Sequence, residues 1–388
     1  MSFTFLLGLA GFASAFSMRA VEPTLPLIAT EFSVSLDQAA LLSSAFALPY
    51  AATQLVFGPV ADAVGKVRVM RVTLVMLSLS LVACALAPSH NALLIARILS
   101  GCWAGGIIPI SFALVGDRYA FEERPAALGR ILMFIVLGQL AGAAVAGLMA
   151  AHFGWRAVFW VSVAITAGAG MGMSLFVTET AARGRASVSD SIARYRIVIA
   201  NPVSLRLFAL VAIEGGLIFG CFPFVAFHLM EKGYSGALEA GLALGAFGTG
   251  GIFYTLGVKA ITDRLGLAGA GCTGALLVGL SFLAIAETSA LTLLVPLFLV
   301  AGFGFYMLHN MIQILATELV PSARGSAVAL YAGSFWIGQA AGAALTALIV
   351  PRIGAEGMFI GAGAGLVALA WPALLVARRA RARRAAGY

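Results

Sequence analysis

Charge is what this sequence has least of. Only 10% of its 388 residues are Asp, Glu, Lys or Arg, while 61% are hydrophobic; soluble domains carry about a quarter charged and about half apolar residues. That shortage excludes a water-soluble domain and leaves an integral membrane protein. Cysteine is scarce as well. Cys84, Cys102, Cys221 and Cys272 all fall within apolar runs and show neither pairing nor metal-ligand spacing, so they read as small core residues, with no disulfide framework and no metal site expected. Nucleotide signatures fail in context. Gly269-Ala-Gly271-Cys-Thr-Gly274 has the spacing of a dinucleotide loop but opens an apolar run with no βαβ unit around it, and Gly65-Lys66 lacks the upstream glycine of a P-loop. No cofactor, no ATP binding and no enzymatic activity are expected. The first apolar run also lacks a basic segment ahead of it and, at about 27 residues, exceeds a signal-peptide core. It reads as a first membrane helix.

What is present is a succession of apolar runs. A spanning helix takes about 20 apolar residues, and the chain divides into twelve: 3–29, 38–62, 69–88, 91–116, 127–152, 154–178, 205–230, 237–259, 267–287, 290–318, 325–350 and 354–377. The fold class is therefore an all-α membrane protein with twelve transmembrane helices. Its expected domains are a six-helix bundle over 1–178, a polar linker over 179–204, a second six-helix bundle over 205–377 and a basic tail over 378–388. The net charge of +8 does not mark a nucleic-acid partner, because its distribution is one-sided. Nineteen Lys and Arg lie in the tail and one set of alternate connections, against Arg156, Lys232 and Arg352 in the other set. By the positive-inside rule both termini and the linker are cytoplasmic. Tyr195 and Ile197 to Ile199, among linker arginines that include Arg183, Arg185, Arg194 and Arg196, suggest a short amphipathic helix on anionic headgroups; a solvated linker is the alternative.

Between the second and third spans lies Gly58-Pro-Val-Ala-Asp62-Ala-Val-Gly65-Lys66-Val-Arg68. Gly58 and Gly65 permit close helix approach and a tight turn, and Asp62, where an apolar span ends, needs a partner. The spacing resembles the loop motif of the major facilitator superfamily of secondary transporters, departing from it at Ala63 and Val67. The resemblance implies that Asp62, Gly65 and Lys66 form a latch that biases the access state, with Arg118 at the end of the fourth span as a partner for Asp62. A partial echo, Thr262-Asp263-Arg264-Leu-Gly266, recurs in the second half.

Three further features extend the resemblance. Arg19 and Glu22 lie three apart on one face of the first span, beside Pro23 and Pro26, and ionisable groups at membrane depth are functional candidates. In the fourth span Arg97 stands alone among apolar residues, with Gly101 and Gly105 four apart; the resemblance places it in the first-half cavity and links it to proton coupling. An arginine there can hold a carboxylate ionised or bind an anion, which makes Glu22 its expected titrating partner. The fifth span carries Gly138-Gln139-Leu-Ala-Gly142 and the eleventh Gly338-Gln339-Ala-Ala-Gly342, small-residue seams for helix packing exactly 200 residues apart. Asp62 and Gly65 against Asp263 and Gly266 are offset by 201. The chain thus reads as a duplicated six-helix unit with two pseudo-symmetric bundles. The fifth-span patch is similar to an antiporter motif but has Ala143 for its proline and Ala146 for a glycine.

In the second half Glu214, in the seventh span, and His309 with Asn310 and Gln313, in the tenth, stand out as polar. His309 can titrate near neutral pH. His228 and Glu231 are expected at the outer interface. Together these residues imply a proton-coupled secondary transporter with Arg19, Glu22, Arg97, Glu214 and His309 as substrate and coupling residues. Its partners would be a small-molecule substrate, protons and the lipid bilayer, with no nucleic acid, in a monomer of a cell's inner membrane. Efflux of an amphiphilic compound or metabolite leads; uptake of an anionic or vitamin-like metabolite, suited to Arg19 and Arg97, and a non-transporting receptor or scaffold stay open.

Overall fold

Helix is the only regular structure among the described residues of the computed structural model, which are 3–120, 123–178, 188–320 and 323–385. In hydrocarbon each backbone N–H and C=O must find its partner within the segment, and an α-helix does this. The first half runs α1 (Phe3–Arg19), α2 (Leu25–Phe32), α3 (Leu36–Val64), α4 (Lys66–Ala85), α5 (His90–Ala104), α6 (Ile107–Arg118), α7 (Arg124–Phe153) and α8 (Trp155–Phe176). The second half runs α9 (Val188–Ala200), α10 (Ser204–Phe219), α11 (Val225–Glu231), α12 (Ala237–Glu287), α13 (Leu291–Glu318) and α14 (Arg324–Ala385).

Nine stretches among the described residues are long and apolar enough to span a bilayer. Two of them, in α12 and α14, are broken into two spans each by Gly266 (φ 66°, ψ 168°) and Gly354 (φ 72°, ψ 170°). Helix α3, bent by 51°, supplies another, which gives the twelve spans that the hydropathy pattern contains. Gly65 (φ 116°) and Gly154 (φ 79°) make the equivalent turns in the first half. All four need a positive φ that only glycine adopts freely.

The first span is not one helix, and Arg19 and Glu22 do not share a helix face. Helix α1 stops at Arg19, a 3-10 turn covers Glu22–Thr24, and α2 starts at Leu25. Pro23 and Pro26 have no N–H to continue the ladder, and Thr24 closes the turn by donating from its backbone N–H and its hydroxyl to Val21 O, at 3.0 and 2.7 Å. The same break recurs 200 residues on: α10 stops at Phe219, a turn holding Pro223 covers Phe222–Phe224, and α11 starts at Val225. The fourth span is likewise divided, at Gly105–Gly106. The twelfth continues as helix beyond 377 to Ala385, so most of the basic tail is an extension of α14. Glu122, Arg183, Arg185 and the rest of 179–187 lie outside the described residues.

Contacts divide the chain into Met1–Ser187 with Ser235–Gly241, and Val188–Tyr234 with Leu242–Tyr388. In the first unit α1 packs on α7 and α8, α3 on α5, and α4 on α5 and α8; in the second α10 and α13 pack on α14. Linker helix α9 packs on α10 and α14, buries Val198 and leaves Ile197 and Ile199 exposed. Asn201 ties its end to α13 by donating to Leu319 O at 2.9 Å.

The glycine seams bring equivalent helices together in both units. A Cβ on Gly138 would lie 2.5 Å from Phe12 O and one on Gly142 2.7 Å from Phe16 O, which fastens α7 to α1. Cβ atoms on Gly338 and Gly342 would collide with Ala212 O and Gly216 O, which fastens α14 to α10. Each contact recurs at an offset of 200 on both partners. Large apolar side chains such as Leu256, Leu348 and Phe153 are 70 to 80% exposed, as lipid-facing residues should be.

Candidate functional site

Both units bury polar side chains, at positions that do not correspond. In the first unit the break after α1 puts Arg19 Nη1 3.1 Å from Glu22 Oε1, with both side chains 3% exposed. Helix α5 carries Arg97, fully buried. Its Nη1 donates to Ser17 O at 3.0 Å, its Nε donates to Leu42 O at 3.3 Å, and its guanidinium lies 4.4 Å from the centroid of Phe46. Arg97 and Glu22 do not form the expected ion pair: Glu22 is taken by Arg19, and Arg97 is held by the carbonyls of Ser17 in α1 and Leu42 in α3. Glu22 Oε2 and Arg97 Nη2 have no hydrogen-bond partner.

The second unit brings together two residues the sequence offered separately and adds a third. Glu214, from α10, is fully buried, and its Oε2 lies 3.0 Å from His309 Nδ1, from α13. Glu214 Oε1 has no partner. The hydroxyl of Tyr331, from α14, lies 2.6 Å from His309 Nε2. Rings of Phe305, Phe335 and Tyr331 stand 5.0, 4.8 and 5.4 Å from the imidazole centroid. Glu214 is closed off, whereas the His309 side chain is 19% exposed. Next along α13, Asn310 donates to Tyr254 OH at 2.7 Å. Tyr331 went unnoticed in the sequence because a tyrosine in an apolar span looks like any other aromatic; no local signal marks it.

At the loop motif Lys66 is the hub. Its Nζ lies 3.3 Å from Asp62 and 2.7 Å from Asp117. Arg118 is not the partner of Asp62: its guanidinium sits over the Phe3 ring at 4.4 Å, a cation–π contact. Gly58 mediates no close approach either, since nothing lies within 4 Å of a Cβ placed there. Asp263 pairs with Lys259 one turn away at 3.2 Å, both well exposed, a pair of the kind that contributes little. His228 is buried, with Nε2 3.3 Å from Ile285 O.

Comparisons with known proteins agree on the family. The family model described as Major Facilitator Superfamily matches residues 7–325. The MFS-type transporter YceJ of Bacillus subtilis is 24% identical over 336 residues, which are 85% of this chain and 84% of that protein. The multidrug export protein EmrB of Haemophilus influenzae is 29% identical over 162 residues, 42% of this chain and 32% of its own. Among solved structures, the nucleoside transporter NupG superposes with a TM-score of 0.81 at 12% identity, covering 97% of this chain and 100% of that one. A bacterial homolog of the human lysosomal transporter Spinster, inward-facing and unoccupied, gives 0.78 at 19% identity, covering 97% and 96%. At these identities the superpositions establish the fold.

Proposed function

Because the chain belongs to the major facilitator superfamily, and is thus a multi-pass membrane transporter rather than an enzyme, we propose that it couples proton movement to efflux of a small amphiphilic compound across the inner membrane. The observation that carries this is the Glu214–His309 pair. Two titratable groups 3.0 Å apart, one sealed and one partly exposed, can receive a proton at the imidazole and share it with the carboxylate. Such groups inside a span have a cost that a purely structural role does not repay. Efflux is the direction suggested by the export pump among the relatives. The Arg19–Glu22 pair is a second coupling candidate, and the Lys66 cluster a latch on the cytoplasmic ends of α3 and α6.

A compound that raises the melting temperature of the purified protein in a metabolite panel binds the folded form and serves as substrate. In proteoliposomes its addition moves protons in the wild type; Glu214→Gln, which keeps size and removes the charge, is expected to cut that movement below about a tenth. Proton movement equal to wild type in the variant removes Glu214 from the mechanism and passes coupling to Glu22. The competing reading, uptake of an anionic metabolite, is favoured by one observation, the unpartnered and buried Arg97 Nη2. Carboxylates rather than amphiphiles among the stabilising compounds would support it.

A further inference from the structure

The Tyr331 hydroxyl touches the proposed proton carrier directly yet carries no charge at neutral pH. We propose that Tyr331 is a positioning residue that fixes which imidazole nitrogen of His309 holds the proton and accommodates the second proton when it arrives. The proposal rests on the reading of Glu214 and His309 as the coupling pair, and hydrogen counting leads to it. With Glu214 ionised, its carboxylate only accepts, so His309 Nδ1, 3.0 Å from Glu214 Oε2, is the N–H of the neutral ring. Nε2 is then bare, and the Tyr331 hydroxyl at 2.6 Å donates to it.

When a proton binds Nε2, that nitrogen becomes a donor and the hydroxyl has to turn. Its oxygen then accepts from Nε2–H while its own hydrogen needs another acceptor. His309 O stands 3.5 Å from the same hydroxyl, so a rotation about one C–O bond serves both protonation states. Phe305 and Phe335 offer no polar atom, and Tyr254 of α12 is engaged by Asn310. Glu214 is the one charged group bonded to the ring among the described residues.

The first unit shows that packing does not require this trio. At the equivalent positions, 200 or 201 residues earlier, stand Ser14, Ile108 and Ile131, and the equivalent α1–α7 seam closes without them. The trio is chemistry added to one copy of a duplicated scaffold.

Nitrogen-15 spectra of histidine in the purified protein test the assignment, since a chain with four histidines allows His309 to be identified by its loss in His309→Gln. In neutral wild-type protein Nδ1 is expected to carry the proton and Nε2 to resonate as a hydrogen-bonded acceptor. In Tyr331→Phe the Nε2 resonance is expected to move to the position of an unbonded imine nitrogen, with Nδ1 still protonated. An unchanged Nε2 resonance in a folded Tyr331→Phe variant overturns the proposal. So does a neutral wild-type ring protonated at Nε2, an outcome readable even if the variant does not fold. The spectrum reports the proton's place and not transport, so it stands or fails apart from the Glu214→Gln proton-movement measurement.

Discussion

Arg156 and Lys232 each bind a carbonyl close to the end of a neighbouring helix. In the first unit Arg156, at the start of α8, pairs with Glu31 at the end of α2 and donates to Ala87 O at 3.1 Å. In the second, Lys232, after α11, pairs with Glu356 of α14 at 3.4 Å and donates to Ala286 O at 3.0 Å. Acid and base have exchanged places, and in each unit the base still reaches the C-terminal end of a neighbouring helix, where carbonyls favour a cation. The exchange makes a test. Lys232→Glu puts two carboxylates together and should lower stability by about 1 kcal/mol. Adding Glu356→Arg rebuilds the first unit's arrangement and should restore the melting temperature; a double variant no better than the single one means the two clamps are not equivalent.

At the scale of the helix, glycines decide how closely neighbours pack, and their environments differ sharply along α14. Gly342 lies against the Gly216 carbonyl, while nothing lies within 4 Å of a Cβ at Gly333. Gly342→Val should therefore cost about 1–3 kcal/mol through overpacking, and Gly333→Ala should leave the melting temperature level or slightly raised. Equal losses from both would mean that the seam does not hold α14 to α10. The seams were legible because a repeat of small residues four apart has one geometric meaning in an apolar helix. The break before Phe222 was not, since a single Pro223 in an apolar run is compatible with a bent helix; its certainty comes from the matching turn at Glu22–Thr24.

For the whole molecule, twelve spans and a duplication could be read from the sequence because bilayer thickness and the offset between copies are long-range regularities that survive local substitution. Partnerships could not. Glu214 and His309 were both visible, 95 residues apart, but nothing in either flank says that they meet; Arg118 sat beside the correct carboxylate, Asp117, and still belonged to neither acid. Orientation rests on charge alone. In a variant without the four native cysteines, Ala193→Cys should resist an impermeant thiol reagent in intact cells, and Ser289→Cys, exposed between α12 and α13, should react. Labelling of Ala193→Cys from outside would invert the topology.

The paired crossings also bear on how such a chain can change over generations. Gly105 lies against the Tyr50 backbone in one unit; 201 residues on, Gly251 lies against the Tyr306 ring. Large and small have traded sides. A mutation at one partner alone either drives a ring into backbone or leaves a void the size of a ring, both costly. An evolving lineage that moves between the two arrangements must pass through a less fit protein or change both residues nearly at once. Such pairs therefore act as ratchets. A graft of one copy's helix into the other must bring its crossing partner with it.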